Sequence, residues 1–478
     1  MTDRGTTWSS LIAMQWRANE APAVIAGGDE WSGTELLERA AGAADRLDGF
    51  GAPDGVPVAA LVSSTAAAFA LAIGATGSGR PLAPLGPRLT VDELAHCVRD
   101  LGSTVVLAEP DFADTARDVA VRAGVQPVIY DTPRRSARAL DLDPAPDALV
   151  VILHTSGTTG SPRAVPYRQD RFALRVGVHA ALCELTIGRR FASASPFHHI
   201  AGFGNHAVAL AAGASVIPFP RFTTVAWRGL AEVGATHVLV VPTVLEMLLA
   251  EDALDIGTLH TLQYGAAPIH PETLARTIAA LPGVRLVNLF GQTEGSPITC
   301  LSAEDHRLVA AGRVELLGTV GRAVAGIELR TEGADDRGVG EICARGAHLF
   351  VTDADGWLRT GDMGRVDDEG YLTLVGRRGD KIIRGGENVY PLEVEHVLER
   401  HPAVREAAVV GVPDRRWGEV VHAFLVPDDS ASPPDLEELR RFARASLAGF
   451  KVPSGWTFVA ELPRNANGKL LRRHLVSS

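Results

Sequence analysis

Short apolar runs alternate with stretches whose apolar positions recur every three or four residues. Between residues 56 and 130, the runs at 56–62 and 104–108 predict strands, and 65–73 and 91–101 predict helices. Residues 148–290 repeat the scheme. Strands are predicted at 148–153, 215–219, 237–241 and 286–290, with helices at 225–233 and 271–281. Such alternation predicts parallel sheets covered by helices on both faces. Two blocks of it predict two doubly wound α/β subdomains. From 318 to 375 the pattern shortens to strands at 327–331, 340–345 and 371–375 between Gly/Asp turns, which predicts a small antiparallel β unit. Residues 380–478 predict a compact α+β domain, with helices at 392–400 and 436–447 and strands at 407–412 and 420–426. The glycine-bearing stretch 376–379 is the predicted boundary. It gives an N-terminal domain over 1–379 and a C-terminal domain over 380–478.

Composition narrows the function classes. The 478 residues are 46% hydrophobic and 22% charged, which suits folded globular domains. There are 46 Lys and Arg against 57 Asp and Glu, a net charge of −11, and no basic run. That balance argues against nucleic acid or an anionic membrane as a partner. The stretch 200–219 is too interrupted, by Asn205 and His206, to read as a membrane span. Cys97, Cys183, Cys300 and Cys343 form no CxxC pair, and residues 1–16 carry no basic-then-apolar leader pattern. A cytoplasmic protein with reduced thiols is expected. Lys381, Lys451 and Lys469 are the only lysines, since Arg carries the rest of the positive charge. A lysine kept in that background is a candidate for chemistry that a planar guanidinium cannot perform.

Five motifs carry candidate chemistry. His154-Thr155-Ser156-Gly157-Thr158-Thr159-Gly160-Ser161-Pro162-Arg163 follows a predicted strand. Its glycines let backbone N–H groups converge, and its hydroxyls add donors, as in a nest for phosphate. It lacks the GK[ST] ending of a Walker A loop. Asn288-Leu289-Phe290-Gly291-Gln292-Thr293-Glu294 ends another strand. A Thr hydroxyl beside a carboxylate there suits phosphate held together with Mg²⁺. Gly356-Trp357-Leu358-Arg359-Thr360-Gly361-Asp362 places a carboxylate after a turn, where it can accept bonds from two ribose hydroxyls. The fourth motif runs from Gly376-Arg377-Arg378-Gly379 through Gly385-Gly386-Glu387-Asn388-Val389. The fifth, 463–472, contains Gly468-Lys469.

In this order the five motifs resemble the adenylate-forming superfamily: acyl- and aryl-CoA synthetases, firefly luciferase and the adenylation domains of peptide synthetases. The resemblance spans nearly the whole chain and is closest to a stand-alone acyl-CoA ligase. It implies a large N-terminal domain of two α/β subdomains and a small β-barrel, followed by a small mobile C-terminal domain. It also implies a two-step reaction. A carboxylate attacks the α-phosphate of ATP, giving an acyl-adenylate and pyrophosphate, and a thiol, usually that of CoA, then takes the acyl group.

Residue by residue, the resemblance assigns Thr155, Ser156, Gly157, Thr158, Thr159, Gly160 and Arg163 to the triphosphate. Gly265, Ala266 and Ala267 fall to the adenine, and Asn288 and Gly291 to ATP. Thr293 falls to phosphate, Glu294 to Mg²⁺, and Asp362 and Arg377 to the ribose. Lys469 is the lysine of adenylation, and a mobile ammonium there can serve both the attacking carboxylate and the α-phosphate. His199 borders the acyl pocket. His198, Gly202, Asn205, Thr243, Gly291 and Gly295 would line it, Gly379 would be the hinge, and Gly385 and Gly386 would meet CoA.

Three positions depart from the family pattern. Arg163-Ala164 stands where Lys-Gly is usual, His198 replaces an aromatic residue, and Gly379 replaces Asp or Lys. The pocket segments 200–205, 242–245, 265–266, 290–291 and 295–298 contain no Arg or Lys, so a neutral acyl or aryl acid is expected, with Asn205 or His198 able to bind a phenol or an amine. Loading of an aryl acid onto a carrier protein, activation of another oxyanion such as nitrite for diazotisation, and a degenerate nucleotide-binding homologue are the alternatives. The last would lack Glu294, Asp362 or Lys469, and all three are present.

Overall fold

The computed structural model describes residues 5–26, 28–156, 162–429, 433–464 and 470–476. After a helix, Trp8–Trp16, come strands β1 (Pro22–Ala26) and β2 (Asp29–Ser32). Next come β3 (Val58–Leu61), β4 (Leu82–Pro84), β5 (Val105–Ala108), β6 (Gln126–Ile129), β7 (Leu149–Ser156) and β8 (Pro162–Arg168). These six form one sheet in the order β6-β5-β3-β4-β7-β8, parallel except for β8. Successive residues of β3 face opposite ways, so the sheet must be covered twice. Ala59 and Leu61 pack with Leu94, Val98, Ala116 and Val119 from the helices Val91–Asp100 and Ala113–Ala123. Val58 and Ala60 belong to the main core with Leu36, Ala40 and Leu71, from the helices Gly33–Gly49 and Ala66–Thr76.

The second sheet contains β9 (Arg190–Ser193), β10 (Ser215–Ile217), β11 (His237–Val240), β12 (Thr261–Gly265), β13 (Arg285–Gln292) and β14 (Gly295–Leu301). Its order is β14-β13-β12-β11-β9-β10-β1-β2. Strands β10, β9, β11, β12 and β13 run parallel, so their carboxyl ends share one edge. In open α/β sheets that edge is where ligands bind. The predicted doubly wound blocks are thus present, joined through one apolar core that includes Val151, Leu153, Val216, Leu239 and Leu289.

The remaining strands begin with the two-residue β15 (Arg322–Ala323), in which Arg322 bridges Tyr371. Strands β16 (Glu328–Glu332), β17 (Gly340–Arg345), β18 (Trp357–Val366) and β19 (Leu372–Arg377) form a four-stranded sheet in linear order, where the small β unit was expected. Beyond it, β20 (Ile382–Arg384), β21 (Glu387–Val389), β22 (Val404–Asp414), β23 (Gly418–Pro427) and β24 (Gly455–Phe458) build the last sheet. Its core joins Val409, Val421 and Leu425 to Val394 and Leu398 of the helix Pro391–Leu398 and to Leu439 and Ala443 of Leu436–Ser446.

By contacts the chain divides into two compact units. One holds residues 1–317 with 324–327 and 345–358, and the other holds 318–323, 328–344 and 359–478. The grouping does not follow a cut at 379/380, because β19 packs against the helix Pro391–Leu398. Among the described residues no helix is long and apolar enough to cross a membrane.

Candidate active site

In the larger unit, most of the expected residues sit at the shared carboxyl edge of the second sheet. The chain leaves β9 through Pro196, and His198 and His199 follow, with ring centroids 4.1 Å apart. A π-helical turn, Ile200–Gly204, leads into the helix Asn205–Ala211. Gly202 has no room for a side chain there, since a Cβ would lie 2.0 Å from the Pro196 carbonyl oxygen. After β11, Thr243 lies in the first turn of the helix Pro242–Ala250. After β12, Ala266 takes a left-handed φ of 65°, a strained choice for a residue with a Cβ and one that clusters at functional sites. Ala267 follows it. Strands β13 and β14 close through a two-residue turn made of Thr293 and Glu294, with Gln292 opposite Gly295. Gly291 is tight as well, because a Cβ would meet Ser296 at 2.8 Å. A Cβ on Gly295 would meet Leu349 at 2.6 Å and Leu358 at 2.8 Å.

Asn288 tests whether a nucleotide fits this edge. The residue is 7% exposed, and its Nδ2 donates to the Tyr264 carbonyl at 3.2 Å. Its Oδ1 is buried with no donor among the described residues. A buried acceptor without a partner costs about 1–3 kcal/mol, and an exocyclic amino group such as adenine's supplies the missing donor. Glu294 supplies one carboxylate beside the Thr293 hydroxyl, a donor set that suits Mg²⁺ held jointly with phosphate oxygens.

The described ends of the phosphate motif belong to two antiparallel strands. Thr155 and Ser156 belong to β7, and Thr155 pairs across the ladder with Arg163 of β8. Gly157, Thr158, Thr159 and Gly160 lie outside the described residues. The Tyr167 hydroxyl of β8 donates to the Thr293 carbonyl. The backbone N–H groups of Phe350 and Val351 donate to the Glu294 carbonyl at 2.9 and 3.1 Å. The Phe350 ring lies 3.9 Å from that of Tyr167. Sequence reasoning missed this bracing of the Thr293-Glu294 turn. Its one trace is the placing of Val165 and Tyr167 at every second residue of β8.

In the other unit, the two expected ribose residues come together. Asp362 and Arg377 are opposite one another on β18 and β19, and Arg377 Nε lies 2.7 Å from Asp362 Oδ1. The Thr360 hydroxyl accepts from the Asp362 N–H at 3.1 Å and donates to the Ile342 carbonyl at 2.7 Å. Buried Glu341 accepts from the Gly361 N–H at 3.1 Å and from Arg378 at 2.9 Å, so the turn before Asp362 is held on both sides.

Gly379 lies in a short 3-10 turn, Arg378–Asp380, where a Cβ would meet open space. Gly385 and Gly386 are the two turn residues between β20 and β21, with φ of 61° and 91°. Two positive φ values in a two-residue hairpin turn account for both glycines without a ligand. Lys451 is buried and paired with Glu393, which explains one lysine as structure. Lys469 lies outside the described residues.

The histidines at this edge are uncharged. Burial pushes His198 down to about 3, helped by His199 and Arg88, and pushes His199 down to about 4. Among the fully buried ones, His179 falls to about 3, and His206, His237 and His306 to about 4, each through loss of water around the charged form. A histidine that resists protonation when folded lets the unfolded chain bind more protons, so stability falls as pH drops from about 6.5 toward 4. At pH 5 each of the four contributes a loss on the order of 2 kcal/mol. The urea midpoint is therefore expected to fall steeply between pH 7 and pH 5. A flat profile over that window would mean that these rings are charged when folded.

With this geometry in place, comparison with known proteins identifies the family. The family model for AMP-binding enzyme matches residues 14–352, and that for the AMP-binding enzyme C-terminal domain matches 393–469. The chain belongs to the AMP-binding enzymes. The enzyme is 33% identical over 488 residues to a fatty acid–[acyl-carrier-protein] ligase, ScoC, of Streptomyces coeruleorubidus, covering 95% of this chain and 92% of that one. It is 34% identical over 424 residues to an indoleacetate–CoA ligase of Aromatoleum aromaticum, covering 81% of each. Among solved structures, the amide bond synthetase McbA of Marinactinospora thermotolerans superposes with a TM-score of 0.86 at 30% identity, covering 98% of both chains.

Proposed function

We propose that the enzyme uses ATP and Mg²⁺ to activate an acyl or aryl acid, and then transfers the acyl group to CoA. In the first step a carboxylate oxygen attacks the α-phosphorus, the bond to the β-phosphate oxygen breaks, and pyrophosphate leaves. In the second, the CoA thiolate attacks the acyl carbon and AMP leaves. The observation that carries the reading is the buried Oδ1 of Asn288, an acceptor awaiting a nucleotide amino group at the carboxyl edge of a parallel sheet.

In this reading Thr155, Arg163 and Thr293 serve the phosphates, Glu294 the metal, Asp362 and Arg377 the ribose, and Lys469 the reacting centre. His199 borders the acyl group as a neutral ring. The partners are a small-molecule acid and CoA, with no role for nucleic acid or membrane, in a cytoplasmic setting. A carrier protein as acceptor is the second reading, favoured by the 33% match to the acyl-carrier-protein ligase over 95% of the chain. The test is pyrophosphate release across small, aryl and fatty acids, with no acceptor, with CoA, and with a phosphopantetheinylated carrier protein. Release with thioester formation on CoA supports the first reading, and a thioester on the carrier alone supports the second. No release with any acid would overturn both.

The domains proposed to move are 1–379 and 380–478, pivoting at Gly379. Neither φ nor space demands glycine there in the conformation described, so its freedom would serve a second one. Gly379→Pro fixes φ near −65° and removes an N–H. It is expected to slow thioester formation about tenfold more than adenylation, measured as separate half-reactions. Equal effects on both would place the pivot elsewhere.

A further inference from the structure

Arg175 is the one cation, among the described residues, that bonds to the segments assigned to the acyl pocket. It comes from the helix Gln169–Cys183, outside every segment that the motifs single out, and it is 1% exposed. Its Nε donates to the Ser296 carbonyl at 3.1 Å and its Nη1 to the Gly204 carbonyl at 2.8 Å. Its Nη2 donates to Asn205 Oδ1 at 2.7 Å. All three acceptors are neutral, and no carboxylate among the described residues pairs with this guanidinium. The lining segments themselves contain no Arg or Lys, and Arg175 reaches them from outside.

The chemistry of Arg175 settles an orientation at Asn205. A guanidinium has donors and no acceptors, so Asn205 must turn its oxygen to Arg175. Its amide nitrogen is then directed away. No acceptor among the described residues takes the Nδ2 hydrogens. Asn205 is 3% exposed and opens the helix that follows the π-helical turn.

Resting on the proposed activation of an acid, we propose that Asn205, oriented by Arg175, is the donor that reads an oxygen acceptor on the end of the acid remote from its carboxyl group. The substrate class is an acyl or aryl acid bearing a remote ether, carbonyl or carboxylate oxygen. Two features reject an acid bearing a remote ammonium group. It brings donors to a donor, and it brings positive charge beside an unpaired buried cation. A hydrocarbon end leaves the Nδ2 hydrogens without a partner. Sites built around a buried hydrogen bond discriminate strongly against analogues that lack it. The neutral His198 and His199 add no charge to this edge.

The experiment compares four phenylpropanoic acids, para-methoxy, para-carboxy, para-methyl and para-aminomethyl, by pyrophosphate release. The wild-type enzyme is expected to favour the methoxy or the carboxy acid over the methyl acid by 10- to 100-fold in kcat/KM, and to refuse the aminomethyl acid. The stronger of the first two tells a neutral acceptor from an anionic one. Asn205→Leu is expected to bring the methoxy-to-methyl ratio to about one. Arg175→Met frees the amide to turn over and removes the charge, and is expected to admit the aminomethyl acid. The wild-type ratios do not depend on whether either variant folds. Equal use of methoxy, carboxy and methyl acids by the wild type would overturn the inference while leaving the proposed function standing, as would an unchanged ratio in folded Asn205→Leu. Pyrophosphate release with none of the four, but with other acids, overturns the inference alone. No release with any acid overturns both.

Discussion

Lys469→Ala is expected to lose roughly 10²–10³ in adenylation rate, while transfer from a supplied acyl-adenylate to CoA is largely kept. That factor corresponds to about 3–4 kcal/mol, the usual cost of removing one donor aimed at charge that develops in the transition state. Of the three lysines, Lys451 is buried and paired with Glu393, so its charge is already committed. Lys381 follows the 3-10 turn that contains Gly379. Leu470, next to Lys469, bridges to Arg464 and packs against a core with Leu462 and Leu475. Arg472, three residues on, binds Glu395 at 2.6 Å and Asp380 at 3.5 Å. The described residues on either side of 465–469 are thus anchored. Lys469→Arg is expected to be poor as well, because a planar fork does not replace a compact ammonium. Nε-acetylation removes the charge and should act as an off switch. ATP–pyrophosphate exchange, run beside thioester formation from synthetic acyl-adenylate, separates the outcomes. Full exchange in Lys469→Ala would remove the residue from the mechanism, and equal loss in both assays would mean misfolding.

Much of this architecture is legible from periodicity. The strand and helix alternation up to residue 290 is present within a residue or two at 91–101, 104–108, 237–241 and 271–281. It was legible because buried parallel strands are short continuous apolar runs, and the helices between them are one-sided. The antiparallel strand β8 was not. Pro162, Arg163 and Arg168 give it a polar, proline-bearing texture that resembles a loop, and its antiparallel pairing with β7 is what makes it a strand. The helix Gln169–Cys183 was missed for a related reason. Its buried face carries Gln169, Arg175 and His179 beside Phe172, Val176 and Cys183, so a search for apolar spacing finds a broken stripe. Those polar members are the interesting ones: Gln169 holds Ser9, His179 meets Gln263, and Arg175 binds Asn205. Polar residues at three- and four-residue spacing among apolar ones are the signal that was available. For the site, order of motifs was enough to name Asp362 and Arg377 separately. Their pairing depends on the register of β18 against β19, which no single motif contains.

That pairing makes the expected effect of Asp362→Ala large and clean. The Asp362 side chain is 8% exposed, that of Arg377 44%. Deleting the carboxylate therefore leaves no uncompensated buried charge, since water can reach the guanidinium that remains. Truncations are strongly destabilising when they strand a charge in the interior, and this one does not. The fold should survive, helped by Glu341 and Thr360, which hold the neighbouring turn independently of the Asp362 side chain. Two ribose hydroxyls donating to a carboxylate make two charge-assisted bonds, worth about 1.5–3 kcal/mol each. Affinity for ATP is then expected to fall by roughly 10²–10⁴. Asp362→Asn keeps one acceptor and the shape, and should fall in between. The measurement is calorimetric titration of each protein with ATP and with 2′,3′-dideoxy-ATP. The wild type should bind the dideoxy nucleotide more weakly by about the factor that the mutation costs. Asp362→Ala should bind both nucleotides alike, because the group that distinguishes them is gone. Unchanged affinity for ATP would remove Asp362 from the nucleotide site. A folded Asp362→Ala protein that still discriminated between the two nucleotides would assign the ribose hydroxyls to a different acceptor.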